Sequence, residues 1–147
     1  MVYLYYSLFL QLFFHILREN MAAGQWLAVG GGAALGAWAR WGLGITLNAT
    51  LPTLPLGTLA ANLVGGYLMG LTMGIFSLTS SFSPEVRLFV MTGFLGGLTT
   101  FSTFSAEGVT LLARGQYGWA ITHILTHVLG SLVMTGMGIL TIQLIRG

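Results

Sequence analysis

Long apolar segments are the feature of this sequence that most restricts its fold. Four of them lie between turn-forming residues, at positions 26–47, 55–78, 86–113 and 117–145. At about 1.5 Å of rise per residue, each forms a helix long enough to cross the roughly 30 Å hydrocarbon core of a bilayer. The connections are short and contain Pro or Gly, so we expect successive helices to run antiparallel in one compact bundle.

The composition excludes most soluble classes of protein. Of 147 residues, 55% are hydrophobic and 5% are charged, against roughly 25% charged residues in an ordinary soluble domain. A net charge of +2 forms no basic patch, so we do not expect a nucleic-acid partner. The chain has no Cys, Asp or Lys, which excludes disulfides and thiolate sites and makes an enzyme the least expected class. The sequence therefore predicts one integral membrane domain.

The N-terminal residues 1–23 form a separate extension. They are apolar for about 17 residues but begin without a basic segment, which argues against a signal peptide. Their length is marginal for a fifth membrane helix. We expect a mis-called start or a loosely attached interfacial helix, and we assign the membrane domain to residues 24–147.

The arginines are distributed almost evenly between the two sides of the predicted bundle. Four spans would place Arg18, Arg87 and Arg146 on one side and Arg40 and Arg114 on the other. The positive-inside rule therefore gives almost no orientation. Two interpretations stay open: the protein inserts both ways round and pairs with an inverted copy, or it has one topology with a small charge bias.

Small and polar residues recur at intervals of four, which places them on one face of each helix. Apolar side chains gain little from leaving lipid, so membrane helices associate mainly through close packing. Small residues on one face allow this packing because they let the helix backbones approach. We interpret the glycines as packing faces. The stripes contain Gly32, Gly36, Arg40, Gly44 and Asn48 in the first span, Thr58, Asn62, Gly66, Gly70 and Gly74 in the second, and His123, His127, Ser131 and Thr135 in the fourth.

Polar side chains inside the spans need partners, because an amide or carboxylate in hydrocarbon costs several kcal/mol. Asn62 and Glu107 should face the bundle interior or a water-filled path. A bond between helices would also satisfy Asn62, and an arginine or a helix end would satisfy Glu107. Arg40, which lies between Trp38 and Trp41, is expected to anchor the chain at the membrane interface.

The two histidines of the fourth span have the spacing of a metal-binding pair. His123 and His127 are four residues apart, but the sequence offers no evident third ligand. We therefore do not predict zinc, and the role of both residues stays open.

The segment GFLGGLTTFSTFSAEG, residues 93–108, concentrates glycines, hydroxyls and aromatic rings in an apolar context. Its glycines favour two half-helices rather than one rod. At about 100° per residue, Phe101 and Phe104 share one side, while Thr100, Thr103 and Glu107 share the neighbouring side. Two interpretations of this arrangement stay open. In the first, the rings fill space and the hydroxyls form hydrogen bonds within their own helix. In the second, the electropositive ring edges contact a small anion weakly, as rapid conduction requires.

Three motifs resemble the Fluc (CrcB-like) fluoride channels. They are ARW at 39–41, GTLAANLVGG at 57–66 and GFLGGLTTFSTFSAE at 93–107, and the similarity extends over about residues 24–145. The resemblance implies an all-α integral membrane protein with four transmembrane helices per subunit and a broken third helix. It also implies an antiparallel, dual-topology homodimer in the bacterial inner membrane, with two pores that release cytoplasmic fluoride passively.

The same resemblance implies roles for individual residues. Phe101 and Phe104 match the pore phenylalanines, and Asn62 matches the pore asparagine that offers amide donors to fluoride. The backbone carbonyls of Gly96 and Thr99, from both subunits, match a central structural Na⁺ site. The remaining expected pathway residues are Thr58, Thr100, Thr103, Glu107, Ser131 and, by position only, His127.

Other functions stay open at this point. A proton-coupled exporter of the small multidrug-resistance type needs a membrane carboxylate, and Glu107 is the candidate, although such exporters carry it in the first helix. A structural or chaperone-like membrane subunit would use every stripe for packing. The sequence also leaves open whether the chain pairs with itself or with an inverted paralogue.

Overall fold

The computed structural model describes residues 8–13 and 23–147, and all of its regular structure is helical. Three helical runs are long and apolar enough to cross a membrane: Leu56–Leu78, Pro84–Ala113 and Tyr117–Arg146. This confirms an all-helical, multi-pass membrane fold. The prediction for the N-terminal extension falls mostly on residues 1–7 and 14–22, which lie outside the described residues.

The elements follow the predicted segments closely in the chain. They are α1 (Ala23–Leu47), α2 (Leu56–Leu78), α3 (Pro84–Arg87), a π-helix (Leu88–Leu95), α4 (Gly96–Leu98), α5 (Phe101–Ala113) and α6 (Tyr117–Arg146). The first, α1, has the length of a span at 25 residues, and its crossing of the membrane stays a prediction. We refer to the run from α3 to α5 as the third helical segment.

The third helical segment contains two residues with extended backbone near its middle. Thr99 has φ −80° and ψ 157°, and Thr100 has φ −148° and ψ 117°. Helical geometry resumes at Phe101, where the Thr100 side chain caps the new helix by accepting a bond from the Thr103 amide over 3.1 Å. Because extended residues cannot continue the helical hydrogen-bond ladder, their backbone groups must find partners elsewhere.

Helices α2 and α6 pack through the predicted stripes. A Cβ on Gly66 would lie 2.9 Å from the Ser131 carbonyl, and a Cβ on Gly70 would collide with the Thr135 backbone. Residue numbers rise together along both helices, so α2 and α6 run parallel although they are not consecutive in the chain. The absent side chains let the two backbones touch, as small residues do in membrane helix pairs.

Helix α1 packs in the same way on the third helical segment. Gly32 and Gly36 are buried against the backbone of Phe89 and Phe94, and a Cβ on Gly97 would lie 2.5 Å from the Ala33 carbonyl. These helices also run parallel. The bundle is therefore two parallel pairs, held by glycine contacts that the stripes predict.

Arg40 makes a contact that its flanking tryptophans do not predict, and its role as an interfacial anchor stays a prediction. Its Nε donates to the Gly97 carbonyl over 3.0 Å, so the side chain turns toward the third helical segment and links it to α1. Trp38 and Trp41 themselves are exposed. The physical reason is that Gly97 lies near the helix break, where its carbonyl needs a donor from outside the ladder.

The glycine contacts predict opposite effects for two substitutions on α6. In Gly138→Ala, the new Cβ would collide with the Tyr67 carbonyl and lie 2.7 Å from the Leu71 nitrogen. We expect this overpacking to destabilise the fold by about 1–3 kcal/mol. Gly136→Ala meets nothing within 4 Å, so it is the matched control and should be neutral or slightly stabilising because alanine favours the helix.

The measurement is thermal unfolding of the detergent-solubilised variants, followed by the fraction that remains monodisperse on gel filtration. Equal midpoints for the two alanine variants would contradict the close contact between α2 and α6.

Candidate functional site

The extended backbone at Thr100 is held by one side chain of another helix. Asn62, in the second turn of α2, accepts a hydrogen bond from the Thr100 amide through Oδ1 over 2.8 Å. Its Nδ2 donates to the Thr100 carbonyl over 3.1 Å. The amide side chain thus replaces both partners that a continuous helix would supply, which explains why asparagine suits this position.

The second amide hydrogen of Asn62 points to α6. Its Nδ2 lies 3.0 Å from His127 Nδ1. An amide nitrogen can only donate, so Nδ1 accepts and the neutral imidazole carries its proton on Nε2. Through its hydrogen bonds to the Thr100 backbone and to His127, Asn62 therefore links the helix break to α6.

Aromatic rings surround this junction on one side. The Phe104 ring stacks on His123 at 5.1 Å between centroids and contacts His127 at 5.0 Å, and the two histidine rings lie 4.4 Å apart. Phe101 lies 5.4 Å from Phe104 but is 79% exposed on the bundle surface. Phe104 is thus fixed among histidines, whereas Phe101 presents most of its ring outward.

A groove of about 360 Å³ runs along this junction. It brings together most of the residues that the sequence predicts for an anion path, and its lining combines polar side chains with apolar ones. The predicted residues that line it are Asn62, Thr99, Thr100, Phe101, Phe104, His127 and Ser131.

The other predicted polar residues line two neighbouring grooves. Thr58, Thr100 and Thr103 line a groove of about 310 Å³ together with Arg40 and Asn48. Glu107 lines a third groove, of about 210 Å³, which Thr103 shares. Thr100 therefore lines both the first and the second groove, and Thr103 lines both the second and the third.

Glu107 is satisfied by a residue of α2 rather than by an arginine. Thr58 Oγ1 donates to Glu107 Oε1 over 2.7 Å. The second carboxylate oxygen, Oε2, is buried without a hydrogen-bond partner among the described residues, and it lies 3.9 Å from His123 Nε2. The carboxylate is therefore within reach of α6, which the sequence does not reveal.

Of the carbonyls predicted to hold Na⁺, that of Gly96 lies in the helical turn before the break and that of Thr99 lies in the break. A continuous helix would pair the Gly96 carbonyl with the Thr100 amide, but that amide donates to Asn62 instead. Gly96 is also exposed on the bundle surface. The break thus removes the usual helical donor from an oxygen atom of the type that hard cations prefer.

Sequence reasoning missed the role of Asn48, which it grouped with a packing stripe. Asn48 Oδ1 accepts hydrogen bonds from the amides of Gly57 and Thr58, over 2.8 and 3.2 Å. These amides belong to the first turn of α2, where no helical acceptor exists. The preference of asparagine for helix N-termini gives a signal, but Asn48 lies far outside the usual capping position in sequence.

Sequence reasoning also found no third partner for the two histidines. The structure corrects this, because one potential ligand atom from each of Glu107, His123 and His127 lies within 4.8 Å of the others. Glu107 belongs to α5 and the histidines to α6, so only the packing of these helices brings the three residues together.

Comparison with known proteins agrees with the motifs at the junction. Residues 27–139 match the family described as CrcB-like protein, Camphor Resistance (CrcB). The chain belongs to this CrcB-like family. Relatives named fluoride-specific ion channel FluC occur in Nitrosospira multiformis, at 65% identity over 79% of this chain and 91% of the relative, and in Cupriavidus pinatubonensis, at 56% over 81% and 94%.

A third such relative, from Pseudomonas putida, is 57% identical over 82% of this chain and 95% of its own length. The resemblance read from the motifs is therefore confirmed. These CrcB-like relatives are named as ion channels, and on that ground the prediction that the chain is not an enzyme is also confirmed.

The cap at the start of α2 predicts the effect of changing Asn48. Asn48→Ala removes the acceptor for two amides and should destabilise the fold by about 1 kcal/mol, with a range of roughly 0.5–2. Asn48→Asp keeps an acceptor and should retain the stability, because a negative charge is favourable at a helix N-terminus. Unfolding midpoints in detergent check both variants, and an alanine variant as stable as the parent would contradict the capping role.

Proposed function

We propose that this chain is a subunit of a fluoride-selective channel of the bacterial inner membrane. The observation that carries the proposal is the junction at Thr100, where one amide side chain, two phenylalanines and a groove meet. The aligned part of the chain is more than half identical to relatives named fluoride-specific ion channels. Export is passive, because an inside-negative potential drives an anion outward with about 2.3 kcal/mol per charge per 100 mV.

Fluoride passes the junction by exchanging water for protein donors. Asn62 supplies its amide N–H for this exchange. The bonds of Asn62 to the Thr100 backbone hold the helix break together, so fluoride replaces His127 as the partner of the other amide hydrogen. The positive edges of Phe101 and Phe104 contact the ion weakly, so that it leaves as readily as it binds.

The ion moves along the three grooves that Thr100 and Thr103 connect. The hydroxyls of these residues already form a chain, in which Thr100 Oγ1 donates to Thr103 Oγ1 over 3.0 Å. Each hydroxyl can rotate to offer its proton to a passing anion. Ser131 lines the first groove, Thr58 the second and Glu107 the third, which gives the path hydroxyl donors and an acidic end.

A second copy of the chain, inverted in the membrane, completes two such paths. Support comes from the exposed faces at the break: Phe101 is 79% exposed and Gly96 is also exposed. The near balance of arginines permits insertion in both orientations. At the contact, the carbonyls of Gly96 and Thr99 from both copies would hold a structural Na⁺, which supplies a fixed positive charge near the middle of the membrane.

A proton-coupled exporter is the second candidate function. The observation that favours it is Glu107, whose carboxylate is half-buried at the bundle interior and has one oxygen without a partner. A protonatable membrane carboxylate is what such an exporter requires. The two functions differ in whether transport depends on a proton gradient.

The channel function predicts rapid, selective and uncoupled fluoride release. Purified protein is reconstituted in vesicles loaded with potassium fluoride, at equal pH on both sides, and valinomycin provides the counter-ion path. We expect fluoride release within seconds on a fluoride electrode, and no chloride release from matched vesicles loaded with potassium chloride.

Protein-free vesicles give the leak rate. A carbonyl-cyanide protonophore, which removes any proton gradient, is the control for proton coupling. Equal release of chloride would overturn selectivity. Release that appears only with an imposed pH gradient would favour the exporter that uses Glu107.

A further inference from the structure

Glu107, His123 and His127 form a cluster whose close approach and unpartnered atoms fluoride conduction does not account for. One potential ligand atom from each lies within 4.8 Å of the others. His123 is 0% exposed and His127 is 3% exposed. Two imidazoles and a carboxylate are a common ligand set for first-row transition metals in proteins.

The three side chains share a second property, which is unused hydrogen-bonding capacity in a buried place. Glu107 Oε2, His123 Nδ1 and His127 Nε2 are all buried without a partner among the described residues. A buried polar atom without a partner costs about 1–3 kcal/mol. Three in one cluster point to an occupant that satisfies them together.

We propose that Glu107, His123 and His127 bind a divalent transition-metal ion such as Zn²⁺, and that the bound ion inhibits fluoride flux. The inhibition rests on the proposed channel function, whereas the binding does not. Zn²⁺ bonds of about 2.0–2.1 Å place tetrahedral ligand atoms roughly 3.4 Å apart. The widest separation in the cluster, up to 4.8 Å, must therefore shorten by up to about 1.4 Å when the ion binds.

The surrounding bonds orient the ligands. His123 Nε2 lies 3.0 Å from the Phe104 carbonyl, which can only accept, so Nε2 carries the proton and Nδ1 keeps a free lone pair. Nε2 is also the ring nitrogen that lies 3.9 Å from Glu107 Oε2, so a metal bound at Nε2 displaces the ring proton and its bond to Phe104, whereas a metal bound at Nδ1 leaves that bond in place. Thr58 donates to Glu107 Oε1 and fixes the carboxylate. Such outer bonds are typical of metal-binding histidines and carboxylates.

Metal binding at His127 excludes its present bond to Asn62. The Nδ1 lone pair of His127 accepts from the Asn62 amide. A metal on Nδ1 displaces that amide, and a metal on Nε2 moves the ring proton to Nδ1, where it opposes the amide donors. Either mode of binding breaks the link between Asn62 and α6.

The bound ion would therefore act on the anion path in two ways. It disturbs the asparagine that contacts fluoride, and it places two positive charges one imidazole away from it. A strong fixed charge holds an anion too tightly for rapid passage, because conduction requires weak binding.

The binding test uses Co²⁺ as a spectroscopic probe on tag-free protein in detergent. We expect one Co²⁺ per chain with visible absorption bands of low-symmetry, nitrogen- and oxygen-ligated cobalt, which stoichiometric Zn²⁺ removes. Glu107→Gln and His123→Gln should weaken binding at least about tenfold. His15→Gln is the matched control, since it removes the third histidine of the chain and should leave the affinity unchanged.

The absence of cysteine and the presence of only three acidic residues keep background binding low. Gel filtration confirms that each variant is folded, and Glu107→Gln serves where loss of the buried His123 prevents folding. Absent bands, or equal affinity in the parent and both ligand variants, would overturn the site.

The inhibition test measures fluoride release from vesicles at increasing Zn²⁺. We expect Zn²⁺ to slow release in the parent and in His15→Gln, and at least about tenfold more Zn²⁺ to be needed in Glu107→Gln, relative to its own rate without metal. Release that is insensitive to Zn²⁺ in a protein that binds Co²⁺ would overturn the inhibition. A parent that binds Co²⁺ but releases no fluoride would instead overturn the proposed channel function.

Discussion

The hydrogen bonds between Asn62 and the Thr100 backbone are the interaction on which the rest of this structure depends. Inside a membrane, a helix cannot release an amide and a carbonyl without partners, because each unsatisfied group costs several kcal/mol. The third helical segment releases both at Thr100, and a single amide side chain replaces them. The break can therefore persist at membrane depth. The groove beside it persists for the same reason, as does the loss of the Thr100 amide as a helical donor to the Gly96 carbonyl.

The packing of α2 determines whether that side chain reaches its target. Gly66 and Gly70 let α2 contact the backbone of α6, which brings Asn62 next to His127. On the other side of the bundle, Gly32 and Gly36 hold α1 against the third helical segment. Glycine at these positions thus serves the site indirectly, because close helices leave a polar side chain little freedom to turn elsewhere.

Local periodicity predicted the helices well, because hydrophobic length and Pro or Gly breaks act over short stretches of sequence. Segment 55–78 corresponds to Leu56–Leu78, and segment 117–145 to Tyr117–Arg146. The spacing of four also placed Asn62 and His127 on packing faces. Periodicity could not predict which helix each packing face contacts.

The contacts between distant segments were accordingly missed. The pairing of α2 with α6 joins Asn62 to His127 across 65 positions, and α5 brings Glu107 to the histidines. The tryptophan neighbours of Arg40 predict an interfacial anchor but give no sign of its bond to the Gly97 carbonyl, which lies close to the helix break. The π-helix of Leu88–Leu95 also has no signal in the apolar pattern.

Fluoride release by Asn62→Asp tests most directly whether the Asn62–Thr100 junction is the anion path. Aspartate has nearly the same shape and keeps an acceptor for the Thr100 amide, but it removes both donors and adds a negative charge. The new carboxylate and a fluoride ion roughly 4 Å apart repel each other by about 4 kcal/mol at an effective dielectric constant of about 20. Because the variant also loses the donor to the Thr100 carbonyl, gel filtration first selects folded protein, and from that protein the account predicts fluoride release slower by at least about a hundredfold. Release at the parent rate from folded Asn62→Asp would contradict it.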